Sequence, residues 1–288
     1  MKVLITGSGG QVGRALLRSV PNAVSAHGLS RSDLDLTDSN AITKAFEQYR
    51  PDLVINAAAY TAVDRAEQEE EQAFQVNALA VEALAKACAK HSARLLHIST
   101  DFVFDGASST PYKPGSNPAP QSVYGRSKLA GEQAVLASPN NLLVRTAWVY
   151  SGDGHNFVQT MLKLMGEKDD LRVVSDQIGT PTHASSLARG LWALVQAEAK
   201  GILHYTDTGV ASWYDFAIAI QEEACALGLL KRQIPILPIT TIDYPTPARR
   251  PPYSVLDKSE TWRMIGEPAQ HWRVELREML RAEKDQHG

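Results

Sequence analysis

Lys2-Val-Leu-Ile-Thr6-Gly7-Ser8-Gly9-Gly10-Gln11-Val12-Gly13 opens the chain, and its reading decides the fold. A short apolar run ends in glycines, and Val12, Leu16 and Leu17 then recur at helical spacing, which predicts strand, loop and helix. Gly7, Gly10 and Gly13 form a G-x-x-G-x-x-G series where the first strand meets the first helix, the setting in which such a series binds a dinucleotide. Glycine lets the backbone turn sharply and approach a pyrophosphate, whose charge is met by free amides and the positive helix end. Gln11 and Val12 lie in the same turn and are expected against the cofactor.

The alternation recurs with an apolar stretch at Ala26 to Leu29, a helix at Ser39 to Tyr49 and a strand at Leu53 to Ala57. A helix from Glu67 to Lys90, a strand at Arg94 to Ser99 and a strand at Leu142 to Arg145 follow. Apolar strands separated by helices predict an α/β fold, a Rossmann-type doubly wound parallel sheet covered on both faces. Beyond Trp148 prolines multiply and the pattern loosens. Residues 1–147 are expected to form the NAD(P)-binding domain, with a return segment at 172–197 that starts in a strand near Arg172 to Ser175. Residues 148–288 are expected to form mainly a smaller, less regular substrate domain.

The formal net charge of -3 gives no electrostatic footprint for nucleic acid or an anionic membrane. Cys88 and Cys225 lie far apart without metal-ligand spacing, as free thiols of a reducing compartment do. No apolar run is long enough to span a bilayer, and the opening residues read as a strand rather than a signal peptide, so a cytoplasmic protein is expected. His91, His97, His155, His183 and His204 also lack metal spacing; they read as packed or solvated imidazoles, and no metal site is expected.

The second strand ends near Leu29-Ser30-Arg31, with no acidic residue at its tip to hold a ribose 2'-hydroxyl. Arg31, beside Ser30, can pair instead with a 2'-phosphate, so NADPH is expected as the preferred cofactor. Asp33 and Asp35, the latter followed by Leu36, stand close enough for NADH to serve as well. Asn56-Ala57-Ala58-Ala59 offers small side chains that make room for a ribose or nicotinamide, or equally for close helix-sheet packing.

Thr100 follows a strand, which puts its hydroxyl at the carboxyl edge of the sheet, where it can donate to a carbonyl. Tyr124 and Lys128, four apart, share one helix face, so an ammonium there can lower the phenol's pKa and make it a usable general acid. Hydride transfer to or from a carbonyl is the chemistry this set serves.

Thr6-Gly-x-x-Gly-x-Val-Gly13, Asn56-Ala-Ala-Ala59 and Tyr124-x-x-x-Lys128 resemble the extended short-chain dehydrogenases/reductases. Longer stretches at 56–64, 97–101, 103–106, 123–132, 145–150 and 244–251 are similar to the dTDP-4-dehydrorhamnose reductases within that class, through nearly the whole chain. The resemblance implies NAD(P)H-dependent reduction of a 4-keto nucleotide sugar by a monomer or homodimer. It makes Thr100, Tyr124 and Lys128 catalytic and Thr61, Val63, Asp101, Phe102 and Trp148 substrate-pocket residues. Trp148 is also a candidate for core packing, and Asp101 for capping a turn. Two positions depart from the family pattern: Phe102 replaces a common tyrosine, and Ala15 stands where some members carry an acidic magnesium ligand.

Phe102 beside Asp101 argues against a 4,6-dehydratase, which needs a glutamate there to shuttle a proton. A different 4-ketoreductase or an epimerase remains open, because facial selectivity depends on pocket shape. So does a non-catalytic NADP-binding subunit like the regulatory subunit of methionine adenosyltransferase.

Overall fold

The computed structural model describes residues 1–287. Its centre is a six-stranded sheet whose members run parallel throughout. They are β1 (Lys2–Thr6), β2 (Ser25–Leu29), β3 (Leu53–Asn56), β4 (Arg94–Thr100), β5 (Leu142–Thr146) and the strand Gly201–His204. The spatial order is Gly201–His204, β5, β4, β3, β1, β2. The chain steps outward from β1 to β2 and then crosses back to β3, so the switch point lies between β1 and β3. Ligands of open parallel sheets bind at that edge, beyond the strands' carboxyl ends.

Every residue of β3 and β5 is buried, as the continuous apolar runs of central parallel strands require. Alternation along β1 divides its side chains between two cores. Val3 and Ile5 meet Leu16 of α1 (Gln11–Arg18) and Leu187 and Leu191 of the helix Ala184–Gln196. Leu4 meets Phe46 of the helix Ser39–Tyr49 and Leu84 of the helix Ala80–Lys90. Trp192 Nε1 donates to the Leu16 carbonyl at 3.2 Å, which ties the returning helix to α1.

Two details differ from the sequence reading. The expected helix from Glu67 to Lys90 is broken into Glu70–Phe74, a π turn at Gln75–Leu79, and Ala80–Lys90. The widened turn lets the Asn77 amide hold the backbone of Tyr60 at both N–H and C=O and donate to Ser127 Oγ. The strand Leu171–Val174 also lies off the central sheet, where it pairs with Ile236–Ile239. The sixth place is taken by Gly201–His204, a four-residue edge strand too short for a periodic signal.

A separate core gathers Tyr150, Phe216, Ile220, Trp272 and Leu276 beneath the helices Phe157–Glu167 and Trp213–Leu227. Links tie this part to the parallel sheet with its glycine loop. Gln11 Oε1 accepts from Ser151 Oγ at 2.8 Å and Asn156 Nδ2 at 3.1 Å, and Arg250 forms a two-pronged pair with Asp64.

Candidate active site

Gly7 has φ +70, and a Cβ placed there would lie 2.6 Å from the Ala58 nitrogen. A Cβ at Gly13 would lie 2.3 Å from the Gly7 carbonyl oxygen. The loop is therefore folded hard against both β3 and its own helix, and any side chain at these places would push it into the cleft. That cleft runs beyond the ends of β1, β2 and β3, lined by Gly7, Gly10, Arg31, Asp35, Leu36 and Ala58 among others. Leu36 is a buried wall residue, and Val12 packs partly into the core while reaching the cleft's inner end.

The charges at the rim are sorted. Asp33 accepts from the backbone N–H and hydroxyl of Ser30, and Asp35 from the backbone N–H and hydroxyl of Thr37. These bonds lower both carboxyls below their ordinary range. Arg31 makes no hydrogen bond or ion pair among the described residues. The donor set thus fits a dinucleotide bearing a 2'-phosphate: free amides at the glycine turn and an uncommitted guanidinium at the strand tip.

Ser122 caps the helix Val123–Leu136, its hydroxyl accepting the Gly125 N–H, and this start presents Tyr124 and Lys128 to the end of β4. Both are buried, as is Thr100. Burial pushes the Tyr124 phenol up to about 12, with the Thr100 hydroxyl pulling it down and Asp101 pushing it further up. The lowering expected from Lys128 does not appear; burial, Thr100 and Asp101 alone move the phenol, and burial drives the lysine itself down, to about 8, with Glu132 opposing. The phenol is thus held protonated, the form an acid must start from. Lys128 Nζ donates to the Ile98 carbonyl at 2.8 Å and faces His97 Nε2 at 3.2 Å.

Thr100 Oγ1 donates to Asp101 Oδ1 at 3.0 Å and accepts the Phe102 N–H at 3.2 Å. Thr100, rather than Asp101, therefore caps the turn Asp101–Val103. Burial raises the Asp101 carboxyl to about 6 against the nearby Ser254 and Thr100 hydroxyls, and its Oδ2 is buried with no hydrogen-bond partner. Phe102 sets its ring edge-on to Tyr124 with centroids 5.6 Å apart.

A cavity of about 670 Å³ brings these groups together. It holds Gly10, Gln11 and Ala59 on the cofactor side, Thr100, Tyr124 and Lys128 at the centre, and Thr61, Val63, Asp101, Phe102 and Trp148 beyond. The wall residues that were not foreseen include His155, Trp213 and Arg250. Arg250 lies within the 244–251 stretch that carried the family resemblance, whereas nothing in the sequence marked Trp213. Its ring stacks on Trp148 with centroids 3.6 Å apart, and Trp148 itself holds φ +47. The same three residues also line a second chamber with Phe157, Arg172, Gln177 and Tyr244, so the two spaces adjoin and share a wall.

Residues 1–284 match the model of the family described as "RmlD substrate binding domain". The chain belongs to the dTDP-4-dehydrorhamnose reductase family. A dTDP-4-dehydrorhamnose reductase of Aggregatibacter actinomycetemcomitans is 41% identical over 96% of this chain and 97% of its own. The crystal structure of a dTDP-4-dehydrorhamnose reductase from Clostridium acetobutylicum superimposes with TM-score 0.92 at 39% identity, covering 98% of this chain and 99% of the other. A dTDP-4-dehydrorhamnose reductase from Bacillus anthracis, solved in complex with NADP, gives TM-score 0.92 at 34% identity, with coverage of 98% and 99%. These likenesses span both parts of the fold, so the dTDP-4-dehydrorhamnose reductase resemblance rests on the whole chain and not on the glycine loop alone.

Proposed function

We propose that this chain reduces the 4-keto group of dTDP-4-dehydro-L-rhamnose to give dTDP-L-rhamnose, with NADPH preferred and NADH also accepted. The observation that carries the reading is the single cavity in which Thr100, Tyr124 and Lys128 meet the glycine cleft. Bound in that cleft, NADPH would supply the hydride. Arg31 would hold its 2'-phosphate, and the small Ala57, Ala58 and Ala59 would leave room for its ribose.

As negative charge grows on the C4 oxygen, Tyr124 gives up its proton to it. A phenol kept neutral at pH 7 is ready for that transfer. Lys128, an ammonium at pH 7 with its pKa at about 8, stabilises the phenolate that remains. Thr100 orients the carbonyl after its hydroxyl turns from Asp101. Asp101 Oδ2, lacking a partner, is placed to accept from a sugar hydroxyl, which would relieve the cost of a bare buried oxygen. Thr61, Val63, Phe102 and Trp148 wall the sugar, and the adjoining chamber, with Arg172 and Arg250, suits a nucleoside diphosphate.

In this reading residues 1–147, with the returning helix Ala184–Gln196, carry the cofactor, and the rest of 148–288 mainly the substrate. The protein works in the cytoplasm as a monomer or homodimer, without nucleic-acid or membrane partners. No helix among the described residues is long and apolar enough to cross a membrane. Incubation with the keto sugar and NADPH tests the reading. One NADPH oxidised per sugar consumed supports it, whereas product formed with cofactor unchanged identifies an epimerase. A protein that binds NADPH but turns over no keto sugar would be a regulatory subunit.

A further inference from the structure

Beneath Lys128 lies a buried chain of polar groups. Asn56 Oδ1 accepts the Ala58 N–H at 3.1 Å and the Thr6 hydroxyl at 2.7 Å. A backbone N–H can only donate, so the amide oxygen must face Ala58 and the amino group must face away. It faces His97 Nδ1 at 3.0 Å. A nitrogen that accepts carries no hydrogen, so the single proton of a neutral imidazole sits on Nε2. Nε2 is the atom that faces Lys128 Nζ at 3.2 Å. The imidazole is itself kept neutral, since burial and the neighbouring Lys128 drive its pKa well below the ordinary value.

We propose that the Thr6–Asn56–His97 chain is a tautomer lock that turns an N–H donor toward Lys128, weakens its ammonium form, and so sets the upper pH limit of catalysis. An ammonium has only hydrogens to offer and cannot accept from His97 Nε2–H, whereas a neutral amine can. The lock therefore favours the amine, and His97 acts as a positioning residue through Lys128.

The other groups facing Lys128 are few. Tyr124 and Glu132 lie on its own helix, one turn before and one turn after. Glu132 favours the ammonium but is shared with Arg145 of β5, whose guanidinium it holds at 2.7 Å. Asp101 lies beyond Thr100, nearer the phenol. His97 is the ring in direct reach of the amine from β4.

The inference rests on the role proposed above for Lys128, so its test includes a readout independent of turnover. Nitrogen NMR of the histidine-labelled, ligand-free wild type at pH 7 is expected to show His97 protonated on Nε2 and bare on Nδ1. A proton on Nδ1 would overturn the lock without touching the reductase reading. His97→Gln, whose amide oxygen can accept from the ammonium, is expected to move the alkaline limb of the kcat–pH profile upward by about one pH unit. A limb that stays in place, with the variant folded, would overturn the tuning even if the tautomer is as expected. Should His97→Gln not fold, the wild-type tautomer decides for the lock, and Lys128 titrating with the surface lysines in carbon NMR refutes the tuning, since burial and the lock both lower it. Retained activity in Lys128→Met would instead remove the catalytic role of Lys128.

Discussion

A guanidinium without a hydrogen-bonded partner is available to a phosphate, and among the described residues Arg31 acts on Asp35 only through its charge, since Asp33 and Asp35 are hydrogen-bonded to Ser30 and Thr37. Arg31→Ala should weaken NADPH binding about tenfold or more, the worth of a charge-assisted pair, and leave NADH nearly unaffected. Fluorescence titration with both cofactors checks this, and equal losses would refute it. Residues of this kind were legible in the sequence because their placement is local: Tyr124 and Lys128 need one helix, and Arg31 one strand end. Engagement of the two aspartates was not legible, since an Asx turn depends on backbone angles that a residue list does not contain. Trp213, the first residue of the helix Trp213–Leu227, and His155, just before the helix Phe157–Glu167, escaped because only the packing of the second core brings them to the cavity.

The element proposed to carry the chemistry is the helix Val123–Leu136, and it is anchored from below by ions. Glu132 accepts Nε and Nη2 of Arg145 at 2.9 and 2.7 Å and the Ser99 hydroxyl at 2.5 Å, all buried. Removing one partner strands the other charge in a dry site, so Arg145→Met should destabilise the protein by about 3–5 kcal/mol in denaturant titration. The double variant Arg145→Met, Glu132→Leu should recover part of that loss, because no bare ion remains. A double variant less stable than the single would contradict this account. The sequence marked this helix well, but it could not show the π turn at Gln75–Leu79, which interrupts an unbroken helical pattern to deliver Asn77 to Tyr60 and Ser127.

At the scale of the whole molecule, the two cores meet beside Asp207, where Oδ2 accepts the His183 N–H and Oδ1 is buried without a partner. Burial raises this carboxyl from 3.8 to about 7, helped by Glu275 and opposed by the Ser186 hydroxyl and the His183 amide. A raised acid binds its proton more tightly folded than unfolded, so its stabilisation is full below pH 3.8 and is lost as pH rises through about 7. Asp207→Asn should therefore gain melting temperature over the wild type at pH 8 relative to pH 5. An unchanged difference between the two pH values would show that the carboxyl titrates normally. The doubly wound sheet was legible in its first five strands, from the alternation of strands and helices. The return of the chain to its edge at Gly201–His204 was not, since tertiary packing rather than local pattern places that strand.

All three scales converge on a phenol held protonated at the end of β4 and opposite the glycine cleft. The most direct test is NADPH oxidation with dTDP-4-dehydro-L-rhamnose, comparing the wild type with Tyr124→Phe. The account predicts stoichiometric oxidation by the wild type and a kcat lower by about two to four orders of magnitude in the variant, with cofactor affinity retained. A variant that turns over at the wild-type rate would contradict it.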